Sequence, residues 1–106
     1  MNQNRTSWGD DYRPRVRRTA AVVAARERLA AIEPGGSSAR PIDVRWASQV
    51  EPRALGMPCL TCDGPYRLDE HTAERIDGET LRVLALHCGY CGAPRTMYFR
   101  VAPGEN

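Results

Sequence analysis

Two Cys-x-x-Cys segments, Cys59–Cys62 and Cys88–Cys91, constrain this chain more than any other feature. They contain all four cysteines of the sequence, and 25 residues separate them. Two residues between paired cysteines allow a tight turn to direct both sulfurs toward one ion, and two such turns complete a tetrahedron about 2.3 Å from zinc. A glycine follows each turn, at Gly64 and Gly92, where we expect the backbone to bend sharply. The sequence therefore predicts a four-cysteine metal site.

The composition explains why a metal would matter to this fold. The chain has 106 residues, enough for one small domain, and 42% of them are hydrophobic. Thirteen of these are alanine, however, and only seven residues are aromatic, so few large side chains are available for a core. Bound zinc contributes roughly 10–16 kcal/mol to the folding of small modules near neutral pH. We therefore expect a small metal-stabilised α+β domain in which the ion supplements the core.

Turn residues and apolar periodicity divide the chain into five segments. The polar N-terminus predicts a flexible arm, and the proline- and glycine-rich middle predicts a connector. The predicted segments are a flexible arm at 1–12, a basic helix at 13–33, a linker at 34–58, the metal module at 59–102 and a flexible tail at 103–106.

The helix is bounded by Pro14, which suits a first helical turn, and by the Pro34-Gly35-Gly36 run that ends it. Apolar residues at helical spacing predict one apolar stripe, and two alternatives remain open: the helix packs this stripe on the metal module as a lid, or it is a docking arm. These residues are Val22, Ala25, Leu29 and Ile32.

A short strand is predicted inside the linker, because Ile42, Val44 and Trp46 alternate with charged residues. We expect this strand to add to the edge of the sheet in the metal module. We then expect Trp46 to be buried against that sheet; the alternative is an exposed aromatic residue that binds a partner.

The metal module itself predicts a three-stranded antiparallel sheet with the ion at one end. Asp77-Gly78 is typical of a two-residue hairpin turn. The segment 81–86 is a strand pattern that runs directly into the second cysteine pair, and 95–101 is aromatic and β-favouring.

The charge is unevenly distributed along the chain. Residues 1–33 contain seven arginines and four acids, whereas residues 59–106 contain five arginines and seven acids. Two interpretations of the basic helix remain open: a solvated face, or a surface for nucleic acid or an acidic protein. Combined with aromatic residues of the sheet, the arginines predict a partner surface comprising Arg13, Arg15, Arg17, Arg18, Arg82, Arg95, Tyr98 and Arg100.

Compartment and ligand class follow from what the sequence lacks. It has no apolar run of membrane-spanning length, and the apolar stretch after Arg17-Arg18 is too short for a signal peptide. We therefore expect a cytoplasmic protein with no membrane partner, whose cysteines bind metal rather than form disulfides. No pattern for a small-molecule substrate is evident.

The order of cysteine pair, hairpin, cysteine pair and strand resembles the zinc-ribbon fold group. The resemblance covers residues 57–101 and rests on Cys59, Cys62, Cys88 and Cys91 together with the strand positions. It implies a structural zinc ion and a small platform that binds protein or nucleic acid. An adaptor that docks on a larger protein or nucleoprotein partner is the function we expect.

Two other functions remain open at this stage. The same cysteine pairs are similar to those of rubredoxins, which implies an iron electron carrier. Some elongation-factor ribbons hold catalytic magnesium with acids at the hairpin tip, and Asp77 and Glu79 lie near that position. Because Asp77-Gly78 is foremost a turn sequence, we expect a protein that is not an enzyme. His87 precedes Cys88 and is expected to support a sulfur rather than replace it.

Overall fold

The computed structural model describes residues 19–104, which form two helices and one four-stranded sheet with short connections. The predicted arm at 1–12, the start of the basic helix at 13–18 and the last two residues of the tail lie outside the described residues. The elements are α1 (Ala20–Ile32), β1 (Ile42–Val44), a 3-10 turn (Ala47–Gln49), α2 (Val50–Leu55), β2 (Tyr66–Ile76), β3 (Glu79–Cys88) and β4 (Pro94–Val101).

The sheet is mixed, with strand order β1-β4-β3-β2. Strands β2, β3 and β4 are antiparallel, as predicted, but β1 runs parallel to β4, with Ile42 opposite Phe99 and Val44 opposite Val101. The expectation of a three-stranded antiparallel ribbon is therefore wrong. The physical reason is that β1 buries Ile42 and Val44 against the edge of β4, which the hairpin alone would leave open.

The hairpin between β2 and β3 follows the predicted turn. Asp77 and Gly78 both have positive φ, 50° and 83°, as a two-residue type I′ turn requires. Ile76 and Glu79 pair directly across it. The ladder is interrupted once, by a bulge at Asp69 between Leu68 and Glu70.

The predicted linker contains more structure than expected. Its helix α2 was not predicted, and it buries Val50 and Ala54 completely. Trp46 lies outside the strand, and 46% of its surface is exposed, so the expected burial of Trp46 is wrong. The Gln49 side chain explains this, because its Oε1 accepts hydrogen bonds from the backbone amides of Arg45 and Trp46 at 2.9 Å and turns the chain out of the sheet.

Helix α1 begins after Thr19, whose hydroxyl accepts a hydrogen bond from the Val22 amide at 3.3 Å. It ends at Ile32, immediately before the predicted Glu33-Pro34 stop. The expected stripe does not pack on the metal module: Val22, Ala25, Leu29 and Ile32 are all exposed. A neighbouring face of the helix contacts the protein instead: Ala30 is buried, and Arg26, one turn after Val22, reaches Asp63 just after the first cysteine pair at 3.5 Å.

The main core lies on one face of the sheet and continues into the cysteine end. Its buried members include Val50 and Ala54 of α2, Leu84 and Leu86 of β3, and Met97 and Phe99 of β4. Cys59, Cys62 and Cys88 belong to the same cluster. Among residues 19–104, no helix is long and apolar enough to cross a membrane.

Candidate metal centre

The four cysteines converge on one point. Their sulfurs all lie within 4.8 Å of one another. Two of the contacts join one CxxC turn to the other: Cys59 to Cys91 at 3.7 Å and Cys62 to Cys88 at 3.6 Å. A tetrahedron with zinc–sulfur distances of about 2.3 Å has edges of about 3.8 Å, so the spacing fits one four-coordinate ion. The predicted convergence of the two cysteine pairs is confirmed, and the cluster could hold a metal.

The antiparallel pairing of β2 with β3 brings the two turns to the same end of the sheet. Cys88 ends β3 and pairs with Tyr66, the first residue of β2. The first turn directly precedes β2, and an isolated bridge between Pro58 and Pro65 closes its base. The hairpin therefore fixes the distance between cysteines that are far apart in sequence.

The two CxxC turns have the same backbone hydrogen-bond pattern. In the first, the Asp63 amide donates to the Cys59 carbonyl at 2.9 Å; in the second, the Gly92 amide donates to the Cys88 carbonyl at the same distance. Asp63 and Gly92 also have positive φ, 64° and 80°. The sharp bend expected at Gly64 is therefore at Asp63, where a short polar side chain tolerates the left-handed conformation.

Gly64 is needed for a different reason. A Cβ atom at this position would lie 2.9 Å from the Cys88 sulfur and 2.9 Å from the ring of Tyr90. The missing side chain therefore allows the two turns to approach each other closely enough for their sulfurs to share an ion.

Backbone amides point at the sulfurs. The Thr61 amide donates to Cys59 and the Tyr90 amide to Cys88, both at 3.3 Å. The backbone amides of Gly64 and Ala93 favour the ionised forms of Cys62 and Cys91. Each of these four amides belongs to the residue two positions after its cysteine. These amides stabilise negative charge on the sulfurs, which is the form that binds metal.

Burial and these amides set the acidity of the thiols. Burial raises the pKa of Cys62 to about 12 and also raises the pKa of Cys91. Burial would raise the pKa of Cys88 as well, but the amides of Cys91 and Tyr90 donate to its sulfur and bring the pKa to about 7. Of Cys62, Cys88 and Cys91, Cys88 is therefore the thiol whose pKa most favours the ionised form.

Tyr66 supports the first turn and was not singled out as a site residue from the sequence. Its buried phenol oxygen accepts a hydrogen bond from the Leu60 amide at 3.3 Å. The guanidinium of Arg95 lies 5.7 Å from the centre of its ring. Its position at the start of a strand four residues after Cys62 is the signal that could have identified it.

Neither histidine supports a sulfur in this structure. His87 lies on the sheet face opposite Cys88, and its Nδ1 is 2.7 Å from the Asp69 carboxylate. The expected sulfur contact of His87 is therefore wrong, because adjacent residues of a strand point to opposite faces. His71 lies between two other groups, with Nδ1 2.7 Å from Glu51 and Nε2 3.2 Å from Arg82.

The structure divides the predicted partner residues between both faces of the sheet. Strand register places Arg82 and Arg95 on the face of Leu84 and Leu86, and Tyr98 and Arg100 on the other. Phe99, the aromatic residue next to Tyr98 in β4, is fully buried and therefore cannot stack on the bases of a nucleic acid.

The predicted partner residues of the sheet also make contacts within the protein itself. Arg82 binds His71 and Arg95 stacks on Tyr66, as described above. Arg100 binds Asp43 at 2.6 Å and Glu79 at 3.0 Å, and Tyr98 is half-buried. Arg13, Arg15, Arg17 and Arg18 lie outside the described residues.

The acids near the hairpin tip have structural roles in the described fold. Asp77 occupies the first left-handed position of the turn, and the Glu79 carboxylate accepts two hydrogen bonds from Arg100. Glu79 therefore helps to join β3 to β4.

Comparison with known proteins gives no relative from which to transfer a function. No protein-family model matches the chain, and neither the curated proteins nor the solved structures contain a match to it.

Proposed function

We propose that this chain is a binding module, similar to zinc ribbons, whose fold is held together by one zinc ion between Cys59, Cys62, Cys88 and Cys91. The observation that carries the proposal is the pair of sulfur distances between the two turns, 3.6 and 3.7 Å, which suit the edge of a tetrahedral thiolate site. The amide hydrogen bonds to the sulfurs of Cys59 and Cys88 support it, because they favour thiolates over thiols.

The proposed role of the ion is structural rather than catalytic. Four cysteine ligands fill a four-coordinate ion and leave no position for a reacting water molecule. Three of the four cysteines are buried within the core cluster. When bound, the ion would cross-link the two turns and so fix the end of the sheet. On this basis we propose a protein that is not an enzyme.

The first experiment tests this structural role. Cys62→Ser and Cys91→Ser should each release the metal and unfold the sheet, since each removes one of four ligands. Thr61→Val is the matched control, because it changes a side chain in the same turn but leaves the amide that donates to Cys59. Heat stability and metal content of the three variants are compared with those of the unmodified chain. A cysteine variant that retains its heat stability would contradict a structural metal.

The identity of the metal is tested on the same material. The rubredoxin-like alternative uses the same four sulfurs, so geometry does not separate iron from zinc. A reduced sample of the iron form is oxidised in air to a red protein, whereas the zinc form stays colourless. A red, redox-active protein would replace the binding module with an electron carrier.

We further propose that the basic N-terminal segment docks the module on a larger protein or nucleoprotein partner. The excess of arginine over acids in residues 1–33 supports this, because the remainder of the chain is closer to neutral or acidic. Changing Arg15, Arg17 and Arg18 to glutamate should weaken partner binding without lowering the melting temperature. A pull-down with the full chain, with and without nuclease, distinguishes nucleic acid from protein. A lower melting temperature would instead indicate that the segment packs on the fold.

A further inference from the structure

We infer that the groove along the open edge of β1 binds an extended, acidic peptide segment of a protein partner. The groove has a volume of about 580 Å³ and lies between the connector that follows α1, strand β1 and helix α2. The inference rests on the proposed function, since it names a surface with which the binding module would contact a protein. This groove is a second binding surface, separate from the basic N-terminal segment proposed above to dock the module.

The backbone of β1 is arranged to accept another strand. The Val44 carbonyl accepts a hydrogen bond from the Ala102 amide at 2.9 Å, so the backbone groups of Ile42 and Val44 face β4. Asp43 lies between them and therefore presents its amide and carbonyl to the opposite side. No strand within residues 19–104 pairs with β1 on that side. An extended peptide could use these groups in the way that peptides add to open sheet edges elsewhere.

The groove offers apolar surface next to these backbone groups. Pro34, which is exposed, and Met57, which is half-buried, supply this surface, whereas Pro41 and Ile42 line the groove but are themselves buried. An extended peptide directs alternate side chains to opposite sides, so its apolar residues can contact this surface while the acidic residues between them meet the long arginine side chains of the groove. The flexible thioether of Met57 suits a surface that accepts different apolar side chains.

The charges of the groove favour an acidic occupant. Arg40 and Arg53 line it and are exposed, and neither has a carboxylate partner among the described residues. Arg40 donates one N–H to the Ile32 carbonyl at 2.8 Å, which leaves other donors for a ligand. The third arginine of the groove, Arg100, is already bound by Asp43 and Glu79. Carboxylates on the peptide would pair with Arg40 and Arg53.

The lining also distinguishes a peptide from a nucleic acid. Single-stranded nucleic acid is held by stacking of bases on aromatic side chains combined with basic residues. No aromatic residue lines this groove. The combination of an open strand edge, apolar surface and two available guanidinium groups fits a peptide.

The test is a titration of the full-length, 15N-labelled protein with a capped peptide of alternating aspartate and valine, followed through backbone amide shifts. We expect the Asp43 amide to shift and to exchange more slowly with water, because it donates to the peptide. Arg53→Glu should weaken binding roughly tenfold or more. Arg75→Glu is the matched control, since Arg75 is an exposed arginine of β2 near the hairpin turn, and it should leave binding unchanged.

Three further probes identify the mode of binding. A peptide with lysine in place of aspartate and a peptide N-methylated at its central valine should both bind at least roughly tenfold more weakly. The inference would be overturned if either of these peptides bound as tightly as the aspartate–valine peptide, or if the Asp43 amide did not shift at millimolar peptide. Tighter binding of a thymidine oligonucleotide at the same amides would also overturn it. Metal content and the amide spectrum, recorded before the titration, test the proposed metal module separately from peptide binding.

Discussion

Gly64 lies so close to Cys88 that a Cβ atom at position 64 would be 2.9 Å from the Cys88 sulfur. The two residues belong to different CxxC turns, and the absence of a side chain at Gly64 sets how near those turns come. Gly64 is therefore part of the candidate site although it supplies no ligand atom.

Gly64→Ala should weaken metal binding roughly tenfold or more, because a shift of the second turn distorts the tetrahedron of sulfurs. Competition with a chromogenic chelator measures the affinity. Gly89→Ala is the matched control: its Cβ would also meet an atom at 2.9 Å, but that atom is Nε of Arg67, at the end of a flexible side chain that can move away. Equal affinities of the two variants would show that the close approach does not matter.

Trp46→Ala should cost less than about 1 kcal/mol in the free energy of unfolding, because nearly half of the Trp46 surface is exposed. Phe99→Ala should cost about 3–5 kcal/mol, since Phe99 is fully buried in the core. Denaturant unfolding of both variants gives the comparison. A large loss for Trp46→Ala would place this side chain in a packed environment and contradict the structure.

The pH dependence of the β1 edge should follow Asp43. Hydrogen bonds from the Arg100 guanidinium hold the pKa of Asp43 below its ordinary value of 3.8. A carboxyl group with a lowered pKa in the folded state contributes stability above the pKa of the unfolded state, and this contribution is lost as pH falls through the folded pKa. The carboxyl carbon shift of Asp43, measured against pH, reports that value. In Arg100→Gln the pKa should rise toward 3.8, and an unchanged titration would refute the role of Arg100.

Glu51→Ala should destabilise the fold by about 1–2 kcal/mol, because it removes the hydrogen bond that joins α2 to His71 of β2. Arg82 can only donate, so Nε2 of His71 accepts from it and Nδ1 carries the proton that Glu51 accepts. The 15N shifts of the imidazole identify this tautomer. Glu70→Ala is the control, because Glu70 is exposed and lies next to His71 in β2; this variant should change the free energy of unfolding by less than about 0.5 kcal/mol. The opposite tautomer would contradict the network.

The sequence predicted the parts of the fold that depend on local chemistry. The two CxxC turns, the Asp77-Gly78 hairpin and the strands that end in Cys88 and Val101 follow from residue type and spacing alone. Helix α2 was missed because it is only six residues long and contains Pro52.

The remaining errors concern tertiary contacts that a sequence pattern does not record. The parallel pairing of β1 depends on how the connector crosses the sheet. The exposure of the predicted stripe of α1 depends on which neighbouring face of the helix contacts the protein, and Ala30 and Arg26 lie on that face. At the site, the four cysteine ligands were predicted. The roles of Asp63, Gly64 and Tyr66 were not, because they are recognised only once the relative positions of the two turns are known.

The most direct test of the account is the metal content of the reduced, folded chain, measured by elemental analysis after dialysis against a weak chelator. We predict one zinc ion per chain, and its removal by a strong chelator should unfold the cysteine end of the sheet. Reduced, folded protein with no tightly bound metal would contradict the central claim.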